Sequence, residues 1–201
     1  MKAAMTAMIG LLLTTPLTLA GGVVVGQKLP PLVIKDKGQM VVEYDVVDGV
    51  MVYKGGSKIS YKTFDTSDMD GKVKTIYHLA ARTGADEVNQ HYIDALIAAK
   101  VPEHAPDSPY KTTTILNTDD AVWGTAGIAV GRLEKSQKGA PYAFHVVDSE
   151  GLALKAWGLK PKGSAVILVD EDNTVLFFKD GELSGADVAQ LLNLIEEHAG
   201  G

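Results

Sequence analysis

Apolar residues follow two rhythms along this chain, and the rhythm changes near residue 72. Before it, short apolar runs at residues 32–34, 40–42 and 50–53 are separated by Lys37-Gly38, Asp48-Gly49 and Gly55-Gly56, a pattern of β-hairpins leading into a core. After it, strand and helix patterns alternate. Residues 73–80 read as an apolar strand, and a helix is expected over 86–100, with Val88, Tyr92, Leu96 and Ala99 on one stripe. A strand over 112–116, a helix over 126–136 weakened by Gly127 and Gly131, a strand over 143–147 and a short helical piece ending at Trp157 follow. The tail reads as a hairpin of residues 165–169 and 175–178 around Asp170-Glu171-Asp172-Asn173. Ser184-Gly185-Ala186-Asp187 then forms a capping box for a helix with Val188, Leu191, Leu192 and Ile195 inward. The expected class is α/β: a βαβ half followed by a ββα half, with helices on both sheet faces and an N-terminal β-hairpin extension.

The first twenty residues change the domain count. One positive charge at Lys2, an apolar run to Leu13 and the small residues Thr18 and Ala20 predict a secretory signal peptide cut near Ala20. Thr14, Thr15 and Pro16 end the run short of the roughly 20 residues a membrane span needs. The expected organisation is a leader over 1–20, a β extension over 21–70 and a core over 71–198, giving a periplasmic protein off the membrane after cleavage. Without the leader, 18 basic groups face 25 acidic ones, a net charge of −7. Such a surface repels phosphates and argues against a nucleic-acid partner. The chain has no cysteine, which excludes thiolate chemistry and leaves stability to packing without disulfides.

Three segments carry a family resemblance: Ala81-Arg82-Thr83-Gly84-Ala85, residues 112–120 (TTTILNTDD), and residues 164–170 (SAVILVD) leading to Lys179-Asp180-Gly181. Together they resemble the YtfJ-type family of exported bacterial proteins, a thioredoxin-like group, over about residues 26–195. Residues 43–58 stand out as an insertion against that pattern. The wider resemblance is to periplasmic thiol-disulfide reductases and peroxiredoxins, which share a lead-in like Gly26-Gln27-Lys28-Leu29-Pro30. It implies a thioredoxin-like βαβ–ββα core in which the catalytic cysteines correspond to Thr83 and Asp86, and the facing cis-proline to Ser164. A polar pair and a serine cannot carry out electron transfer.

Thr83 and Asp86 have the spacing of a capping box, or they flank a ligand site at a helix N-terminus, where Arg82 would favour a carboxylate or phosphate and Asp86 would oppose it. His78, near the end of the central strand, reads as a hydrogen-bonded core imidazole or as a general base. Asn117, Asp119 and Asp120 follow a strand end, where such residues cap, close a turn or bind a cation. The histidines show no zinc spacing, the 170–181 segment lacks the glycine and glutamate of an EF-hand, and neither G-x-G-x-x-G nor a phosphate loop occurs, so no cofactor is expected. The functional expectation is a non-redox binding module that holds an unknown periplasmic protein, peptide or small molecule on the former active-site face, built from Arg82, Thr83, Asp86, Asn117, Asp119, Asp120 and Ser164. A non-redox enzyme using Arg82, Thr83 and His78 at the helix N-terminus is the alternative.

Overall fold

The computed structural model describes residues 21–69, 71–101 and 103–200; the expected leader lies outside them. Nine strands and four α-helices follow in the order β1 (Val33–Val41), β2 (Tyr44–Val47), β3 (Val50–Tyr53), β4 (Ser60–Asp65), β5 (Val73–Ala80), α1 (Gln90–Ala98), β6 (Tyr110–Asn117), α2 (Ala126–Gly139), β7 (Phe144–Asp148), α3 (Leu152–Trp157), β8 (Ser164–Val169), β9 (Val175–Asp180) and α4 (Gly185–Ala199). Seven strands form one sheet in the order β4-β1-β7-β6-β5-β8-β9. β5 sits centrally, parallel to β6 and antiparallel to β8. Every one of its residues is buried, the polar Lys74, Thr75 and His78 included, because helices or chain cover both faces of the sheet.

Successive β5 side chains feed two cores. Tyr77 and Leu79 pack with Tyr92 and Leu96 of α1 and with Leu191 and Ile195 of α4. Ile76 packs on the other face with Ala153 and Trp157 of α3 and with Val23, Leu29 and Ile34 of the N-terminal segment. Trp157 is fully buried and donates its indole N–H to Pro30 O at 2.9 Å. The thioredoxin-like βαβ and ββα halves are therefore β5-α1-β6 and β8-β9-α4. Among the described residues, no helix is long and apolar enough to cross a membrane.

The N-terminal region departs from simple hairpins. Lys37-Gly38 is no hairpin turn; it lies inside β1 as a bulge, with positive φ at both residues and a register shift against β4 between Ile34 and Gln39. A Cβ at Gly38 would stand 2.5 Å from Lys62 O, so only glycine fits. Asp48-Gly49 does turn a hairpin, with φ of 51° and 81°, as a two-residue loop requires. That hairpin, β2–β3, forms a separate two-stranded sheet within the segment expected to be an insertion.

The first helix also starts later than its apolar stripe predicts. Gly84 takes φ +84°, and the bonds Ala85 N–Arg82 O, Glu87 N–Gly84 O and Gln90 N–Glu87 O close successive three-residue turns. The regular helix therefore begins only at Gln90. Tyr92 and Leu96 point inward as expected, whereas Val88 and Ala99 are exposed.

Candidate functional site

β5 ends in Ala80, and Ala81 N donates to Asn117 O at 2.9 Å, so the chain leaving β5 is tied to the end of β6. Arg82 follows, and its Nε donates to Asp120 O at 2.8 Å. Asn117 is buried; its Nδ2 donates to Asp120 Oδ2 at 3.1 Å and its Oδ1 accepts from Asp119 N at 3.0 Å. Asp120 Oδ2 also accepts from Lys162 N at 2.8 Å. Arg82, Asn117, Asp119 and Asp120 thus form one hydrogen-bonded edge at the carboxyl ends of the parallel strands, where sheets of this class place ligands. Gly151, with φ +62°, lets the neighbouring turn approach; a Cβ there would lie 3.1 Å from Asp119 Oδ2. The Lys155–Asp119 pair at 3.9 Å is exposed on both sides and contributes little.

Thr83 and Asp86 take no part in this hydrogen-bond network. Both are exposed, no side-chain hydrogen bond joins them, and the N-cap position of α1 belongs to Asn89. The expected capping box is absent because the left-handed Gly84 between them replaces the helical first turn by the three-residue turns already described. Ser164 is buried and turned inward: its backbone pairs with Leu79 and its Oγ accepts from Asn89 Nδ2 at 3.1 Å. The same amide nitrogen reaches Gly181 O at 3.0 Å, and Asn89 Oδ1 accepts from Leu183 N at 2.8 Å. Asn89 is a residue the sequence reading passed over. Its signal was its position, three before Tyr92 and seven before Leu96, which makes it the polar member of an inward stripe.

Behind the edge lies His78, on the α3 side of the sheet. It is buried, its Nε2 has no hydrogen-bond partner, and desolvation lowers its pKa against the opposing pull of Asp148, Asp120 and Asp180. The core position expected of this imidazole is therefore what the structure has, with no hydrogen bond at Nε2. Asp148, fully buried, accepts from Leu152 N at 3.0 Å and Ala153 N at 2.8 Å, so its charge sits where the first turn of α3 stabilises it. No group of three or more His, Asp or Glu among the described residues is arranged to hold a metal ion. The Asp170–Asn173 stretch is the expected hairpin turn, with Asp170 Oδ1 accepting from Asp172 N and Thr174 N.

The outermost part of this edge is apolar. Between Asp120 and α2, Thr125 N and Oγ1 both donate to Val122 O, closing a turn with Gly124 at φ +79°. The turn presents Trp123 98% exposed, with Val122 and Ile128 also exposed. The sequence reading missed this tryptophan, although an indole inside a Val-Trp-Gly-Thr turn is an unusual place for a core residue.

The family described as "Bacterial protein of unknown function (YtfJ_HI0045)" matches residues 23–198. "Uncharacterized protein YtfJ" of Escherichia coli K12 is 38% identical over 86% of this chain and 85% of that protein. An "Uncharacterized protein" of Haemophilus influenzae is 32% identical over 84% of this chain and 83% of that protein. The fold is similar to that of the "putative protein disulfide isomerase from Bacteroides thetaiotaomicron", with a TM-score of 0.55 and 14% identity over 89% of this chain and 92% of that one.

Proposed function

The chain belongs to the YtfJ family, and on that footing we propose that it is an exported, non-redox binding module that holds a protein, peptide or small ligand at the edge that carries the active site in thioredoxin-like enzymes. The observation that carries this reading is Trp123: an indole 98% exposed, on a turn whose base is fastened to Arg82 through Asp120 O. Tryptophan and arginine are over-represented among residues that dominate binding energy, and an exposed apolar cluster on a soluble protein marks an interaction site. The competing reading, an enzyme built on Thr83, requires a base within reach of its hydroxyl; neither His78 nor Asp86 makes that hydrogen bond. Binding needs no such pair.

The test places a photo-crosslinking amino acid at Thr83 or at Trp123, with a control at the exposed Glu197 of α4, in protein expressed with its own leader. A discrete adduct from the edge positions and none from the control supports the reading, and Arg82→Ala should weaken the adduct at Thr83 at least tenfold. Equal adducts from all three positions, or none from the edge, would overturn it. The mass of the periplasmic protein, which should lack the first twenty residues, tests export separately; full-length protein confined to the cytoplasm would refute it.

A further inference from the structure

The opposite edge of the sheet carries a second arrangement that the binding face does not use. Two adjoining cavities of about 380 and 300 Å³ share Met51, Pro141 and Tyr142 and lie beneath the β2–β3 hairpin, where β5, β6 and β7 begin. Volumes of this order suit a small molecule.

The chemistry of the lining is uneven. Lys62, Lys72 and Lys111 line one cavity, and Lys138 and His104 line the other. Among the described residues no Asp or Glu lines either, in a chain whose net charge is −6. Among the described residues, no carboxylate stands within ion-pair distance of any of these lysines. Lys111 is buried; its Nζ donates to Glu103 O at 3.1 Å and Ala105 O at 2.7 Å, and Lys72 Nζ donates to Ser108 O. These are neutral carbonyls, so among the described residues no carboxylate pairs directly with these ammonium groups. Burial first, and then the neighbouring charge of Lys72, push the Lys111 ammonium below its usual range; Glu103 and Asp107 oppose the shift from outside the lining. Glu103 is itself engaged by the Thr112 hydroxyl. The apolar side is formed by the hairpin and by Tyr142, whose ring meets His104 edge-on at 4.4 Å between centroids. Lys138 lies 5.8 Å from the Tyr53 ring centroid.

We propose that this cleft is a binding site for a small organic anion with an aromatic or aliphatic body, the anionic group lying toward Lys62, Lys72 and Lys111 and the body against Met51, Tyr53 and Tyr142. The anion supplies a direct ion-pair partner to these lysines, and α2 ends at Gly139 beside the Lys138 end of the cleft, where its negative dipole end directs the anionic group to the other side. The hairpin is the roof: Met51 N donates to His104 O at 3.0 Å, fastening β3 across the cleft.

The probe is 8-anilinonaphthalene-1-sulfonate, an aromatic anion, compared by fluorescence titration with N-phenyl-1-naphthylamine, which has the same rings and no charge. The expected result is saturable one-to-one binding of the anion to the folded protein, at least tenfold tighter than the neutral amine. Lys62→Glu combined with Lys138→Glu, both at exposed positions, should weaken it at least tenfold with an unchanged near-ultraviolet circular dichroism spectrum. No saturable binding, equal affinity for both probes, or indifference to the double charge reversal would overturn the site. A loss produced instead by Trp123→Ala would assign the probe to the other edge, and would equally overturn it.

Discussion

Asn89 ties three segments of the chain together with one amide, joining α1 to Ser164 of β8 and to the backbone at Gly181 and Leu183. Replacing it by alanine leaves a buried hydroxyl and a buried N–H, with a half-buried carbonyl, without their partner, and each buried loss costs about 1–3 kcal/mol before relaxation. Asn89→Ala is therefore expected to lower the unfolding free energy by about 3 kcal/mol in urea denaturation. Thr83→Ala should stay within about 0.5 kcal/mol, since an exposed side chain outside any cap or network rarely matters more. Equal effects of the two substitutions would restore Thr83 as a structural cap. Gly38→Ala, forced into a positive φ and against Lys62 O, should cost about 2 kcal/mol or more. Both critical residues were poorly legible in the sequence, because a buried amide and a bulge glycine are defined by partners far along the chain.

At the scale of elements, identical local signals had different outcomes. Ser184 and Asp187 form the expected capping box, with Ser184 Oγ accepting from Asp187 N and the Asp187 carboxylate accepting from Ser184 N. Thr83 and Asp86, at the same spacing, do not, because Gly84 is left-handed whereas Gly185 continues into a helix. Ser184→Ala should accordingly lower stability by about 1 kcal/mol, read from the urea midpoint, and helix α4 should fray first in hydrogen exchange. Two of the three X-Gly signals in the N-terminal region diverge as well: Asp48-Gly49 turns a hairpin and Lys37-Gly38 bulges one strand. Two consecutive positive φ values satisfy either geometry, and the choice depends on whether a partner strand runs on past the turn, as β4 does beside β1. The βαβ and ββα halves were legible because hydrophobic period and caps are local; the docking of β1 between β4 and β7 was not.

For the whole molecule, the balance of the two cores with buried imidazoles sets a pH response. Burial holds the His145 imidazole down to about 4, while it hydrogen-bonds Gln137 and Ser136, and in the unfolded chain it titrates near 6.5. The unfolded state thus takes up the proton first, so this contribution to stability is complete above about pH 6.5 and is lost as pH falls toward 4. The lowered pKa of His78 acts with the same sign. The urea midpoint should therefore fall between pH 7 and 4.5, and His145→Gln should flatten the slope; an unchanged slope would remove His145 as a cause. The N-terminal cover of the second core has a kinetic consequence. Pro30 meets Trp157 across 127 residues and Lys28 meets Asp172 across 144, so although β1 can pair with β4 early, it cannot join the main sheet through β7, nor the N-terminal segment cover the second core, until the last third of the chain exists. Folding dominated by such distant contacts is slow, on the millisecond-to-second scale. A nascent chain of this topology cannot close its second core until residue 157 has been made, and an unclosed core would suit the export proposed above, because such a chain can still be threaded through a channel.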